Sequence, residues 1–595
     1  MSKSRLLSSD TLKRFISVHS WLGIITGMAL FIAFYAGALT MYEGALYQWT
    51  NPALRGASQN LSGADAWVAK LAAEPAAGGD FTLALKAGEP LTASYLEMND
   101  NGYRAHVGLF DAQDDWVWLG EPSQLDRFIN TLHFSLGLPV MPGSLLMGIV
   151  SLVYFLALAT GILIHLPQLA SDVYALRLGK NLKRLWLDAH NLIGVLSLPF
   201  HVMFAFTGFL ICLMFVMPDV FARLTPASAA VEAYREQSGA ERGYRPEARV
   251  DDAVSGPVVP VAHLLAQAKA EVPGLEPERI EYIGYGSASA TATVAGRVSD
   301  GLIGTANVTL SLRDGKVSKT ETAATRTTAQ ALEGGYLHLH YGDFGGELLR
   351  SLYLLLGLAG AFLFYSGNLL WVESRRRQRQ AEQQRSAWRM AQLTLGVCLG
   401  CCAGIAVSLL SNRVLPAAVA ARTVWESSSY YAGFFAALLW AFARPPGRAS
   451  YELLLTNAAL YLALPLADVL YMVAHGDASW AQLNLLFAGI GALFLKLGLA
   501  VRHRAYHGQP NSVWALQSHP LVTAPERPRP TWRLRCYAGG VALLVVALFV
   551  FLFAQILLGD APWVGRLQQT TFLLGLALLL VPALAEAMTT KAPRK

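Results

Sequence analysis

The sequence predicts a polytopic α-helical membrane protein with about ten transmembrane helices. Hydrophobic residues make up 54% of the 595 positions, whereas charged residues make up only 15%. Apolar runs of about 20 residues, the length that crosses the hydrocarbon core of a bilayer as a helix, recur along the chain. These runs lie at 15–41, 144–166, 187–216, 349–372, 389–410, 429–444, 451–473, 480–500, 535–558 and 565–589.

The basic residues predict how these helices are oriented. Lysine and arginine concentrate at the N-terminus, in the loop 167–186, after the fourth span, in the short later loops and in the C-terminal tail. Because short basic loops stay in the cytoplasm, both termini are expected to be cytoplasmic. The long polar segments 42–143 and 217–348 are then expected on the outer side of the membrane.

Each outer segment is predicted to form a small α+β module. In 42–143 a helix at ADAWVAKLAAE precedes four runs of alternating polarity, FTLALKA, TASYLEM, YRAHVGLF and WVWLG. In 217–348 a helix at VAHLLAQAKAEV precedes RIEYIGYG, SATATVAGRV, TANVTLSL and KVSKTE. Alternation with a period of two, interrupted by Gly, Asn and Asp, is typical of strands and turns.

The first part of the chain contains an internal repeat. The sequence HSWLG, which begins at His19 in the first span, matches HNLIG, which begins at His190 in the third. A second glycine follows eighteen residues after each histidine, at Gly37 and Gly208. The order of span, outer module and span therefore occurs twice. Two copies in the same orientation imply a pseudo-two-fold axis along the membrane normal.

The repeat also pairs histidines by depth. His19 and His190 begin their spans at the cytoplasmic side. His133, in LHFSL, and His340, in LHYGDFGG, precede the second and fourth spans at the outer side. Equivalent histidines of the two copies are therefore expected to face each other across the axis, with one pair near each membrane surface.

Histidines at membrane depth indicate a functional site, because an ionisable side chain there costs free energy. Two opposed imidazoles between helices are typical of a b-type haem with two axial histidines. The sequence therefore predicts two haem b groups, with His19, His190, His133 and His340 as candidate iron ligands. Small residues on these spans would let a porphyrin approach the backbone or would serve helix packing. They are Gly23, Gly27, Gly37, Gly194 and Gly208.

His201 is a fifth candidate ligand. It lies eleven residues after His190, so on one continuous helix the two rings would share a face, about 16 Å apart along the axis. The repeat aligns it with a leucine, and it therefore has no symmetry mate. It could replace His133 or His340 as a ligand of the outer haem, or line the edge of that haem.

Other assignments of the histidines are weaker. His338 is two residues from His340, and in an extended chain it would point the opposite way. His165 ends the second span and is expected at the membrane interface. A zinc site would need three or four ligands converging at one depth, whereas these histidines come in twos. Histidines that only pack against neighbouring helices are the remaining alternative.

The rest of the sequence excludes some functions. It contains no P-loop, dinucleotide-binding or nucleophile-elbow motif. The net charge of +6 comes from basic residues at span ends, so no nucleic acid is implied. No catalytic side chain is identified. The last six predicted spans carry almost no ionisable residues at membrane depth apart from Asp468 and Lys496. This region is expected to serve docking, quinone contact or a partner.

Taken together, these motifs resemble the PepSY-associated transmembrane helix family of iron-regulated membrane proteins. Its members include bacterial ferric-siderophore reductases, among them the ferrioxamine B reductase. The resemblance covers about the first 375 residues. It rests on the starts at His19 and His190, on LHFSL at His133, and on LHYGDFGG at His340 followed by a span that ends in three arginines.

The resemblance implies two PepSY-type periplasmic modules and b-type haems between four core helices in a bacterial inner membrane. The expected organisation is a first span in 1–41, modules in 42–143 and 217–348, two spans with a cytoplasmic loop in 144–216, a fourth span in 349–375 and an accessory region in 376–595. Some relatives carry a cytoplasmic flavin reductase domain, where this sequence has six further spans. The electron donor, a quinol or a cytoplasmic reductase, therefore stays open.

The function expected from the sequence is that of a di-haem oxidoreductase. It would pass electrons across the membrane, reduce a periplasmic ferric siderophore and release Fe(II). Two alternatives stay open, namely a non-enzymatic membrane anchor whose modules bind a periplasmic partner, and a permease for iron or its chelate. The siderophore and the oligomeric state are not specified by the sequence.

Overall fold

The structure of the chain is a computed structural model. It describes residues 9–521 apart from 57–60, 87–90, 100–101, 111–115, 120–121, 166–181, 217–258, 300, 303, 377–379, 417–418 and 476–481, and beyond 521 only a few single positions.

Six helices in this described part are long and apolar enough to cross a membrane. They are α1 (Ser9–Thr40), α5 (Val140–His165), α10 (Gly346–Ser374), α11 (Arg385–Val414), α13 (Pro446–His475) and α14 (Leu483–His507). A bent pair of helices, α6 (Leu182–Leu196) and α7 (Leu198–Val216), adds a seventh if it is taken as one broken span. The prediction of a polytopic helical membrane protein is confirmed.

Most of the ten predicted spans have a counterpart among these helices. The run 429–444 corresponds to α12 (Arg422–Ala443), which is a helix but falls short of the hydropathy of a span. The predicted spans 535–558 and 565–589 lie outside the described residues.

The third predicted span is not one straight helix. α6 and α7 meet at Ser197 with a bend of 71°. Pro199 stands in the first turn of α7, where a fixed φ suits a helix start but a missing N–H prevents α6 from continuing. The prediction that His190 and His201 share one face of a continuous helix is therefore wrong, because they lie on different helices.

Among the residues that the structure describes, five shorter α-helices lie outside the spans. They are α2 (Glu43–Thr50), α3 (Ala64–Ala72), α4 (Leu125–Ser135), α8 (Val261–Glu271) and α9 (Thr328–Tyr341). The chain around His338 and His340, treated as extended in the sequence analysis, belongs to α9. Two residues on a helix still differ by about 200°, so the two side chains point in different directions.

The two segments that are expected on the outer side of the membrane, 42–143 and 217–348, build a single sheet. The first contributes β1 (Phe81–Ala84), β2 (Thr92–Asn99), β3 (Gly102–Phe110) and β4 (Trp116–Trp118), and the second contributes β5 (Glu276–Ile283), β6 (Thr291–Arg297), β7 (Thr305–Ser311) and β8 (Val317–Glu321). Their order is β4-β3-β2-β1-β5-β6-β7-β8, with antiparallel neighbours throughout. The eight predicted strands are confirmed, but β1 pairs with β5 and joins the two halves.

One face of this sheet carries the core of the outer region. Ala292 and Val294 on β6, and Val308 and Leu310 on β7, are fully buried, whereas the residues between them are largely partly exposed. Trp67 on α3 belongs to the same buried cluster. The alternation matches a sheet with one covered face and one open face.

The seam between the two halves can be tested by a cross-link. Thr82 on β1 lies opposite Glu281 on β5, and directly opposed antiparallel residues are close enough for a disulfide. We expect the double variant Thr82→Cys/Glu281→Cys to form this bond under mild oxidation, detected as linked peptides by mass spectrometry. A Thr82→Cys/Thr309→Cys control, three strands apart, is expected to stay reduced. Linkage in the control but not in the test variant would contradict the single sheet.

Candidate functional site

Four of the five candidate histidines lie in two pairs near opposite ends of α1. The ring centroids of His19 on α1 and His190 on α6 are 6.3 Å apart, with an angle of 73° between the rings. The centroids of His133 on α4 and His340 on α9 are 5.8 Å apart, and their Nε2 atoms are 3.5 Å apart. This is the pairing that the repeat predicts.

The inner pair, His19 and His190, is oriented by backbone carbonyls of neighbouring spans. His19 Nδ1 donates to the carbonyl oxygen of Ala157 on α5 at 2.9 Å, and His190 Nδ1 donates to that of Leu363 on α10 at 3.1 Å. Because a carbonyl only accepts, Nδ1 carries the hydrogen and Nε2 keeps its lone pair. A neutral imidazole in this state can bind a metal through Nε2.

The outer pair, His133 and His340, is held in a similar way. His133 Nδ1 donates to the carbonyl oxygen of Ala33 on α1 at 2.8 Å, and His340 Nδ1 lies 2.8 Å from the hydroxyl of Thr207 on α7. Burial lowers the pKa of His340 to about 3 and also lowers the pKa of His133, so both rings are neutral at pH 7. Their Nε2 atoms face each other.

A glycine lies against each of the four rings. A Cβ added at Gly37 would lie 2.5 Å from His133 Nδ1, closer than any real side chain would sit. A Cβ added at Gly161 would lie 3.2 Å from Cε1 of His19, and one added at Gly367 would lie 3.2 Å from Cε1 of His190. At Gly208 the distance to Cε1 of His340 would be 3.7 Å.

Three of these glycines stand four residues after the carbonyl that holds the ring. The positions are Ala33 and Gly37, Ala157 and Gly161, and Leu363 and Gly367. In a helix the residue at i+4 covers the carbonyl at i, and a glycine there leaves the second lone pair of that oxygen open to an imidazole N–H. The internal repeat thus extends to the local geometry that orients the rings.

His201 is not part of either pair. It is fully buried on α7, its Nδ1 lies 2.6 Å from the hydroxyl of Tyr154, and its Nε2 has no hydrogen-bond partner. Its ring contacts are aromatic and include Phe34 and Phe364, at 5.6 and 6.2 Å between centroids. The structure therefore gives no support to His201 as a replacement for His133 or His340.

The remaining histidines near the pairs have other surroundings. His338 bonds to the carboxylate of Asp343, with Nδ1 at 2.8 Å from Oδ1, and His165 lies at the end of α5. Within the described residues, no three His, Cys, Asp or Glu side chains converge as a metal site would require.

The outer pair opens into a cavity of about 1240 Å³. This volume exceeds the usual range for small-molecule pockets, about 300–1,000 Å³. Aromatic rings such as Phe34, Phe200 and Phe204 line it together with charged side chains. The charged residues are Glu43, Asp126, Asp343, Glu347, Arg55, Lys86, Arg127 and Arg350.

Two acidic residues near the outer pair were missed by the sequence analysis. Asp126 on α4 and Glu333 on α9 each precede an outer histidine by seven residues, which is about two helical turns and therefore the same face. Burial raises the pKa of each to about 7. The signal was present in the sequence, as LD and LE at matching distances before His133 and His340.

The C-terminal helices hold both ends of α4. Before its start, the Ser123 hydroxyl donates to the Glu426 carboxylate of α12 at 2.8 Å, and after its end the Tyr431 hydroxyl donates to the carbonyl of Gly137 at 2.5 Å. Between them, Phe128 packs against the Tyr431 ring. The placement of His133 therefore depends on α12.

The wall of the cavity is also tied to the C-terminal region. Asp468 on α13 is fully buried and accepts hydrogen bonds from Arg55, Arg413 and Asn484, at 2.8, 2.8 and 2.7 Å. The Arg413 guanidinium lies over the Trp49 ring of α2 at 3.7 Å. Arg55 lines the cavity, so a carboxylate from the accessory region positions a cavity residue.

Comparison with known proteins agrees with the resemblance seen in the sequence. The model of the family described as PepSY-associated TM region matches residues 16–374, which is more than half of the chain. The chain belongs to this family. One relative is the uncharacterized protein PA4219 of Pseudomonas aeruginosa, 27% identical over 307 residues that make up 49% of this chain and 73% of that protein. The family match contains both histidine pairs and ends before α11.

The attachment of α4 to α12 can be tested through stability. Glu426 also accepts from Asn412 and pairs with Arg422, so Glu426→Ala leaves several buried polar groups unpaired. Such a loss costs about 3 kcal/mol or more of unfolding free energy, and we expect a clearly lower midpoint of thermal unfolding in detergent. Glu281→Ala, which removes a pair with half-exposed Arg279, is the control and costs about 1 kcal/mol or less. Equal midpoints for the two variants would show that the attachment contributes nothing.

Proposed function

We propose that this membrane protein is a b-type haem oxidoreductase that carries electrons to an acceptor bound in the outer cavity. His19 with His190, and His133 with His340, are the residues that would hold one haem each. When bound, haem iron supplies one-electron transfer. The observation that carries this proposal is the pair of imidazoles near each end of α1, each ring held through Nδ1, with the Nε2 atoms of His133 and His340 directed at each other.

The residues fit such a group on several counts. An iron atom about 2 Å from each of two imidazole nitrogens needs those nitrogens about 4 Å apart. The Nε2 atoms of His133 and His340 are 3.5 Å apart, so a small separation of the rings would admit it. Hydrogen bonds from Nδ1 of a ligating histidine to a carbonyl or hydroxyl are also the usual second-shell arrangement.

The spacing of the pairs supports transfer across the membrane. His19 and the segment Ala33–Gly37 that contacts His133 are 14 to 18 residues apart on α1, or about 21–27 Å along its axis. Phe34, which follows Ala33, lies 5.0 Å between centroids from Phe364, which follows Leu363, so two aromatic rings connect the levels of the two pairs. Phe204 lies 4.9 Å from the His340 ring. An electron donor, a quinol or a cytoplasmic reductase, would meet the inner pair.

The acceptor that we propose is a ferric siderophore on the periplasmic side of a bacterial inner membrane. The cavity beside the outer pair is large enough for such a chelate, and its lining mixes four acidic with four basic side chains and several aromatic rings. Reduction would release iron, since the hard oxygen donors of siderophores favour Fe(III) over Fe(II). The substrate class rests on the family resemblance.

Absorbance of the purified protein tests the haem ligands. We expect a reduced-minus-oxidised b-type spectrum with two haems per chain by pyridine haemochrome. His190→Ala is expected to remove one haem and His340→Ala the other, because each pair loses a ligand. His338→Ala, two residues from His340 on the same helix, is the control and is expected to keep both. A colourless wild-type preparation that still transports iron or binds a partner would instead favour a permease or an anchor.

The glycine contacts give a second test that leaves every histidine in place. Gly37→Ala puts a Cβ 2.5 Å from His133 Nδ1, so the ring must move, and we expect the outer haem to be lost or spectrally shifted while the inner one is unchanged. Gly489→Ala on α14, where a Cβ meets nothing within 4 Å, is the matched control. Electron paramagnetic resonance of the oxidised protein resolves the two centres. A normal outer signal in Gly37→Ala would count against His133 as a ligand.

A further inference from the structure

Asp126 is a buried carboxyl group in the wall of the outer cavity. It lies in the first turn of α4, seven residues before His133, and is only 6% exposed. Its Oδ1 atom is buried and has no hydrogen-bond partner. Asp126, His133 and His340 all line the same cavity. An unpaired buried carboxyl oxygen is costly unless the group is protonated or meets a ligand.

The surroundings of Asp126 keep its proton exchangeable near neutral pH. Burial is the main cause of its raised pKa of about 7, and the nearby Glu43 carboxylate raises it further, whereas the backbone N–H of Arg127 and the guanidinium of Arg127 lower it. Burial also raises the pKa of Glu43 on α2. Burial raises the pKa of the Tyr47 phenol on α2 to about 12, and the nearby Asp126 carboxylate contributes to this rise. The phenol therefore stays protonated.

The other elements packed against α4 present titratable groups that are engaged elsewhere. Glu426 of α12 bonds to Ser123 and Asn412. Tyr35 of α1 bonds to Tyr461, Tyr154 of α5 bonds to His201, and Arg413 of α11 bonds to Asp468. On α12, Tyr431 bonds to the Gly137 carbonyl, Tyr430 bonds to Cys401 and Arg422 pairs with Glu426.

We infer that Asp126 is the proton donor that accompanies the electron at the outer cavity. The inference rests on the proposed function. In the proposed step the ferric acceptor takes one electron from the outer centre, the bond between iron and an anionic donor oxygen of the chelate breaks, and that oxygen takes the proton of the Asp126 carboxyl group. Fe(II) and the protonated ligand oxygen result, and the Asp126 carboxylate regains a proton from water.

Charge balance is the physical reason for such a donor. His133 and His340 are partly buried, and an added electron without a counter-charge is more costly in such surroundings than in water. The proton of Asp126 neutralises the freed ligand oxygen, and the proton that the Asp126 carboxylate then takes up from water supplies the counter-charge for the electron. A protonated oxygen also binds iron weakly, which favours release.

The repeat supplies a matched comparison. Glu333 stands at the equivalent place before His340, and its pKa is also raised to about 7 by burial. It is not among the residues that line the cavity in the described part of the chain. If a raised pKa alone mattered, the two acids would behave alike. If access to the cavity matters, only Asp126 donates a proton to the acceptor.

The test uses the full chain, purified with its haem, and the iron(III) complex of desferrioxamine B as the probe. After reduction with dithionite, stopped-flow absorbance follows reoxidation by this probe between pH 6 and pH 8. For a group with a pKa of about 7 the protonated fraction falls about tenfold over this range. We expect the wild-type rate to fall about tenfold as the pH rises. Asp126→Asn is expected to be slow and nearly independent of pH.

Two variants and one spectrum complete the design. Asp126→Glu is expected to restore the pH dependence, and Glu333→Gln is expected to keep the wild-type profile. Infrared difference spectra between pH 6 and pH 8, recorded without the probe, should show a carboxylic C=O band that is lost in Asp126→Asn. A b-type spectrum with a wild-type pH profile in Asp126→Asn would overturn this inference alone. A wild-type protein without any haem spectrum would overturn the proposed function and this inference with it.

Discussion

The arrangement of the site depends on one local interaction, in which the Nδ1–H of an imidazole on one helix reaches a backbone carbonyl on the next. A carbonyl within a helix is normally covered by the side chain four residues later, and a glycine removes that cover. His133 meets Ala33 and Gly37 in this way, and the inner pair does so at Ala157 and Leu363. The glycine also allows the close helix approach that membrane packing favours. One small residue therefore sets both the distance between helices and the direction of Nε2.

The two repeats use this interaction differently. The helix that carries His19 is continuous, whereas the one that carries His190 ends at Leu196 because Pro199 follows, and Met28 occupies the equivalent position in α1. At the outer pair, His340 meets the hydroxyl of Thr207 rather than a carbonyl. The pseudo-symmetry is thus preserved at the rings and lost in the helices that support them. Two chemically unlike sites can be built from one repeated motif in this manner.

Much of the fold and the pairing of the rings could be predicted from the sequence, because both follow from local patterns. Hydropathy gave the positions of the long helices in the described residues, alternation gave the eight strands, and the repeat gave the partner of each of the four paired histidines. Three features depend on contacts between distant segments and were not predicted, namely the β1–β5 seam, the bonds from α12 to α4 and the cavity itself. The bend at Ser197 was not predicted either, although it has a local cause. Pro199 indicates a break in the helix, but the apolar run 187–216 continues through it and was interpreted as one span. Asp126 was overlooked because an acidic residue in the first turn of an amphipathic helix is common and usually stabilises the helix N-terminus.

Helices α12 and α13 of the C-terminal region contact the elements that form the candidate outer site. The family match ends at residue 374, yet bonds from beyond it reach Ser123, Gly137 and Arg55, on either side of α4 and in the cavity wall. The bonds to Ser123 and Arg55 are buried and involve a charged group, so breaking them is more costly than breaking surface pairs. The opposed rings therefore belong to the part of the chain shared with the family, whereas the support of α4 and of the cavity wall comes from the part outside it. In this chain, the position of His133 is consequently set from both sides, by α1 through its carbonyl and by α12 through the ends of α4.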